Sequence, residues 1–128
     1  MRAAGTVAVV ADAVLARWFT PNFAEHHPDV IAQLGAMLRG CSPVGYAACC
    51  EVIERLDLRD QLPAITAATL VIAAAQDHAI PPEHSRVIAA AIAGAELEVL
   101  ADGAHLAAIE CAERVSALIE QHLKGGAQ

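Results

Sequence analysis

TLVIAAAQDHAIPPEHSRVIAAAIAGAELEVLADGAH, residues 69–105, is the stretch from which the fold is read. It opens on an unbroken apolar run, Leu70, Val71 and Ile72, that shrinks to alanines and ends at an acid, Asp77. A continuous rather than alternating run suits a parallel strand buried on both faces. After the pair Pro81-Pro82, the residues Val87, Ile88, Ala91 and Ile92 recur with helical period, and Gly94 follows as a cap. A second strand-like run, Leu97 to Leu100, precedes the loop ADGAH and His105. The order is strand, acid, helix, strand, histidine. In an open parallel sheet such residues leave the carboxyl ends of their strands, where these sheets place their sites.

Composition agrees with a packed globular chain of one domain at most. Hydrophobic residues make up 56% of the 128 and charged residues 18%, while aromatics are only 3%. The net charge is −7, from 8 basic and 15 acidic residues. Scattered basic residues and a negative balance argue against nucleic-acid or anionic-membrane partners. Arg2 followed by VAVVADAVLA has the outline of a short signal peptide, but Asp12 interrupts it and Arg17-Trp18-Phe19 continue a helical pattern. An amphipathic helix and a cytoplasmic location are expected, with no transmembrane segment. Cys41, Cys49, Cys50 and Cys111 form no CxxC and no zinc-like spacing, so buried reduced thiols and no bound metal are expected.

Upstream of the opening stretch the chain reads as helical. Val7, Val10, Val14 and Trp18 define a first helix over residues 6–19, stopped by Thr20-Pro21. Residues 22–28 read as a polar connection. A second helix runs from about Pro28 to Arg39, with Gly40 as its cap. Ser42-Pro43 opens a third, with Tyr46, Cys49, Cys50, Ile53 and Leu56 as its expected buried stripe and an end near Asp57. The segment LRDQLPAITA, with Pro63, reads as a connection. Downstream of His105 a single last helix is expected over residues 107–123, ended by Lys124-Gly125-Gly126. The division is a helical cap over 1–63 and a βαβα unit with two parallel strands over 64–128, its crossover right-handed.

Asp77 and His105 are separated by one strand–helix–strand unit, 28 residues. On neighbouring strands the carboxylate could accept from the imidazole and leave its other nitrogen free as a general base. Gly103 and Ala104 leave the ring room. The same residues also admit a plain structural account, since Asp after a strand is a common turn former and a histidine at a strand end is often at the surface. His26, His27, His84 and His122 read as exposed or cap residues, and His78 is a neighbour of Asp77 with no partner spacing. The search for a nucleophile fails: Ser42, Thr66, Ser85 and Ser116 lack the glycines of a G-x-S-x-G elbow, and no cysteine sits between a strand and a helix.

GYAACCEVIERLDLRDQLPAITAATLVIAAAQDHAIPPEH, followed by GAELEVLADGAHLAAIE, resembles the C-terminal half of the 3-oxoadipate enol-lactonases, α/β-hydrolases of the protocatechuate branch of the β-ketoadipate pathway. ADAVLARWFTPNFAEHHPD resembles the first part of that family's cap. The resemblance covers nearly the whole chain but only about the second half of a family member. It implies a partial α/β-hydrolase fold, with Asp77 as triad acid, His105 as triad base and Trp18 at a cap position facing substrate. It implies hydrolysis of a carboxylic ester or lactone with no cofactor. The family's A-P-T, its glycine before the acid turn and its Q-P-E read here as Ala67-Ala68-Thr69, Ala74 and Cys111-Ala112-Glu113. The nucleophile serine, its elbow and the oxyanion-hole loop have no counterpart in these residues. Three expectations follow: a chain truncated at its N-terminus and inactive alone, acting on a small lactone or ester only if a nucleophile half completes it; a non-catalytic binding or oligomerisation module; or a small enzyme using His105 as a base by itself. A two-strand sheet with an open edge further predicts a homodimer through that edge.

Overall fold

The structure, a computed structural model, describes residues 6–125; Arg2 and Gly126, used above to read the two ends, lie outside the described residues. Four helices come first: α1 (Ala8–Trp18), α2 (Pro21–His26), α3 (Pro28–Arg39) and α4 (Pro43–Arg55). A 3₁₀ turn over Arg59–Ala64 leads to β1 (Leu70–Ala74), α5 (Pro82–Ala91), β2 (Glu96–Leu100), α6 (Ala107–Glu110) and α7 (Ala112–Gly125). The two strands are parallel neighbours, in register from Leu70 opposite Glu96 to Ala74 opposite Leu100.

The start signals account for most of the helix boundaries. Ser42 caps α4 by accepting from the Gly45 N–H at 3.3 Å, with Pro43 preset for the first turn. Proline likewise opens α3 at Pro28. Gly94, expected to cap α5, does not: the helix ends at Ala91 with Ile92 extended, and Gly94 takes the left-handed conformation, φ 72°, in the turn leading to β2. The expected polar connection over 22–28 is instead helical in large part. Thr20-Pro21, read as a stop, is also a start: the Thr20 hydroxyl accepts from Phe23 N–H at 3.2 Å and Pro21 occupies the first turn of α2. The expected single helix over 107–123 is broken at Cys111 (φ −116°, ψ 39°) into α6 and α7. Part of the LRDQLPAITA connection winds as the 3₁₀ turn, which tolerates Pro63.

Two apolar clusters hold these elements. Val7, Ala11 and Leu38 join α1 to α3, with Val10, Val14, Trp18 and Tyr46 packed around them. Leu100, Val115 and Leu118 join β2 to α7, with Leu70, Ile72, Ala107 and Cys111 around them. Fully burying one such aliphatic side chain contributes about 1.5–3 kcal/mol. Asp12, which interrupts the apolar run of α1, points outward and pairs with Arg39 of α3.

The buried surface is smaller than the periodicity predicts. α4 buries no residue: Tyr46 reaches the first cluster, but Cys49 and Cys50 are exposed and Ile53 is 68% exposed. Val87 and Ile88 of α5 are exposed as well, at 52% and 38%. Helical period sorts side chains onto one face, yet a face is buried only where another element lies across it. Among the described residues none covers the outer face of α4. The thiols therefore depart from expectation: Cys41, Cys49 and Cys50 are exposed, and Cys111 alone is half-buried. β1 is buried on both faces only at its carboxyl end, Ala73 and Ala74, while Leu70, Val71 and Ile72 are half-buried.

Candidate functional site

The strand ladder runs on past its last paired residues and brings the two loops together. Ala75 N–H donates to Leu100 O at 2.8 Å, Gln76 N–H to Gly103 O at 3.0 Å, and the Gln76 side-chain amide to Ala101 O at 3.2 Å. Asp77 and His105 follow directly on these contacts. Asp77 is fixed first by its own turn: Oδ1 accepts from the N–H groups of Ala79 and Ile80, both at 2.8 Å. Oδ2 is then free for His105, whose Nδ1 lies 2.9 Å away. The turn-forming and histidine-pairing roles of this aspartate are thus both present, one on each oxygen.

Burial raises the Asp77 carboxyl, but hydrogen bonds from Ile80 N–H, the His105 ring and Ala79 N–H outweigh it and hold the group below its ordinary value. An ionised carboxylate only accepts, so Nδ1 of His105 is the donor, and in the uncharged form of the ring Nε2 presents a lone pair. The side chains are 12% exposed for Asp77 and 27% for His105, so the pair is shielded while the ring keeps an open edge. Among the described residues no hydrogen-bond partner meets Nε2. What the arrangement can do chemically is accept a proton at Nε2 and stabilise the resulting charge through Asp77.

The loop before His105 is built for close packing. Gly103 and Ala104 are buried, and a Cβ on Gly103 would stand 3.0 Å from Cys111 Sγ and 3.4 Å from Ala74 Cβ. The small residues thus pack the loop down rather than clear space around the ring. Trp18 is half-buried, its ring part of the cap cluster; its carbonyl accepts from Leu106 N–H at 2.9 Å, beside His105. Ser42 caps α4, Ser85 and Ser116 lie on α5 and α7, and Thr66 precedes β1. Burial, then the neighbouring Glu110 and Asp102 carboxylates, push the Cys111 thiol up, which disfavours the reactive thiolate. His26 and His27 are exposed, His27 stacking on Phe23 at 4.4 Å, and His122 Nε2 meets Ala68 O at 3.3 Å. Among the described residues no group of three His, Cys, Asp or Glu side chains is placed to hold a metal ion, and no helix is long and apolar enough to cross a membrane.

Sequence reasoning missed Glu110. Its carboxylate accepts from Ala104 N–H at 3.0 Å and from Thr20 N–H at 3.2 Å, and it also bonds the Thr20 hydroxyl. Thr20 is the one buried polar residue of the described core, at 5% exposure. The available signal was a lone acid in the apolar run HLAAIECA. Arg17 adds a second tie across the chain, donating to His78 O at 3.0 Å.

No protein-family model matches the chain. It is similar to 3-oxoadipate enol-lactonase 2 of Acinetobacter baylyi, 34% identical over 115 residues that cover 90% of this chain and 43% of the relative. Among solved structures it is similar to the enol-lactonase of Burkholderia xenovorans, with a TM-score of 0.89 and 37% identity over 92% of this chain and 45% of that one. A thermophilic esterase from Thermogutta terrifontis superposes with a TM-score of 0.83 at 30% identity, over 94% of this chain and 44% of its own. The chain spans less than half the length of the relatives it matches. It resembles the C-terminal half of a 3-oxoadipate enol-lactonase, and its architecture is a partial α/β-hydrolase fold: helical cap, then a βαβα unit with two parallel strands.

Proposed function

We propose that these 128 residues form the acid-and-base part of a site that hydrolyses a carboxylic ester or lactone, with an enol-lactone as the substrate. Residues 1–63 form its cap, and 64–128 carry Asp77 and His105. The observation that supports this most is the 2.9 Å contact between His105 Nδ1 and Asp77 Oδ2, with no hydrogen-bond partner on Nε2 among the described residues. In the complete reaction a nucleophilic hydroxyl attacks the lactone carbonyl while Nε2 takes its proton. Asp77 stabilises the imidazolium, and backbone N–H groups hold the oxyanion. The proton then passes to the departing enol oxygen, and water, deprotonated by the same nitrogen, releases the acid. Trp18 lines the cap side of the site. The hydroxyl and the oxyanion donors come from a nucleophile-bearing segment that is not among these residues, which contain no G-x-S-x-G.

On its own, therefore, the 128-residue chain is expected to act as no more than a weak general base. The purified chain is expected to leave an enol-lactone and para-nitrophenyl acetate at background rates. Mixing it with the nucleophile-bearing remainder of a related enol-lactonase should restore turnover that His105→Ala abolishes. Enzyme-like turnover by the chain alone, lost in His105→Ala, would refute the assignment of the nucleophile elsewhere.

A second reading, a hydrolase-derived association module, is favoured by the surface. The two-stranded sheet leaves strand edges open, and Val44, Val52 and Leu123 are 80%, 65% and 68% exposed. On that reading the chain is a homodimer paired through the strand edge. Light scattering behind size-exclusion chromatography decides it, and a stable dilute monomer rules it out.

A further inference from the structure

The residues on either side of His105 are both tied, by their backbone, to the end of the first cap helix. Leu106 N–H donates to Trp18 O at 2.9 Å. Ala104 N–H donates to Glu110 Oε2 at 3.0 Å, and the same carboxylate takes the Thr20 N–H at 3.2 Å and the Thr20 hydroxyl. Phe23 N–H fills the acceptor side of that hydroxyl at 3.2 Å, so its hydrogen is left to point at Glu110. All groups meeting Glu110 are donors, and a carboxylate is the side chain that offers acceptors only. Thr20 and Ala104 are 5% and 2% exposed and Glu110 is half-buried, so the donors of these bonds are buried, and a buried donor left unpaired is costly.

We infer that Glu110 is a positioning residue: by clamping Thr20 of the cap to the backbone of Ala104, it sets the place and orientation of the His105 ring. This rests on the reading of His105 as the base. It goes beyond that reading in joining cap and base loop through one side chain, so that displacement of the cap end moves the base. Arg17, on the same cap segment, binds the carbonyl of His78 next to Asp77 at 3.0 Å, so the acid loop is held from the same side.

The test uses the ¹⁵N-labelled 128-residue chain and needs no turnover. Long-range ¹H–¹⁵N spectra report which ring nitrogen of His105 carries the hydrogen, and amide exchange reports the clamp itself. In Glu110→Ala the Ala104 amide should exchange about ten- to a hundredfold faster, the loss of a hydrogen bond to a charged acceptor. The His105 ring should pass from a single Nδ1–H tautomer to a mixture, while the Glu98 and Leu100 amides, which continue the β2-to-β1 ladder that Glu96 N–H begins at Thr69 O, keep their protection. Glu110→Gln keeps the shape but turns an N–H toward the Thr20 or Ala104 N–H, and should give the same tautomer mixture with the fold intact. If Glu110→Ala loses β2 protection, Glu110→Gln decides. An unchanged His105 ring spectrum in Glu110→Gln, or in a folded Glu110→Ala, overturns the inference. A displaced tautomer supports it even if complementation by a nucleophile-bearing segment fails, so the two readings fall separately.

Discussion

Gly103→Ala is the substitution that most directly tests the packing beneath the acid–histidine pair. Gly103 is buried, and its backbone does not occupy the left-handed region, since Gly94 is the one described glycine with positive φ. An added methyl therefore meets no conformational penalty, and its cost is purely one of space. It would stand 3.0 Å from Cys111 Sγ, 3.4 Å from Ala74 Cβ and 3.5 Å from Ala107 Cβ. The first of these is closer than a relaxed carbon–sulfur contact, and the alanine behind it belongs to the rigid strand β1. Overpacking of this kind costs about 1–3 kcal/mol. The reduced freedom of the unfolded chain returns about 0.4–1 kcal/mol. The net expectation is a loss of about 1–2 kcal/mol, or a fall in Tm of roughly 4–8 °C for a chain of this size. Urea denaturation followed by circular dichroism measures it. Cys111→Ala removes the nearest atom, so the double variant should recover about 1 kcal/mol relative to the sum of the singles. A neutral Gly103→Ala, or strict additivity with Cys111→Ala, would refute the account of why glycine precedes the His105 loop.

Two further outcomes are expected. The Asp77 carboxyl is held below its ordinary value in the folded chain, so its contribution to stability is present above pH 4 and is lost as the pH falls through the folded value. Asp77→Asn should lower the unfolding free energy measured by urea at pH 7 by about 1–2 kcal/mol, the loss of a charge-assisted hydrogen bond. It should also flatten the decline below pH 4; an identical acid decline in wild type and variant would count against the charged pair. Gly94 adopts φ 72° with nothing within 4 Å of an added Cβ, so Gly94→Ala carries only the left-handed penalty, about 1 kcal/mol. Gly94→Asn should cost less, because asparagine tolerates that region, and equal Tm values for all three chains would contradict it.

Local chemistry was legible where one residue type does one thing. Pro28 and Ser42-Pro43 marked helix starts that the structure places where they were read, whereas α5 stops at Ala91, short of Gly94, which serves the turn that follows. Thr20-Pro21 was misread because the same dipeptide stops one helix and starts the next, and only the Thr20–Phe23 bond tells them apart. The break at Cys111 carried no proline here: α7 starts at Ala112, where the resembled Q-P-E pattern has its proline. Lacking it, an unbroken helical period hid a kink that the Gly103 loop packs against.

What the sequence determined by itself was order and type: helices first, then strand, acid, helix, strand, histidine. These follow from periodicity and from turn chemistry, which act over a few residues. The tertiary structure alone decided which polar atoms meet. Asp77 divides its two oxygens between its own turn and His105, and Glu110 joins residues 90 and 6 positions away in the chain, Thr20 and Ala104. It also decided that the apolar stripe of α4 stays exposed, because burial depends on a second surface lying opposite, and no period within one helix specifies that surface.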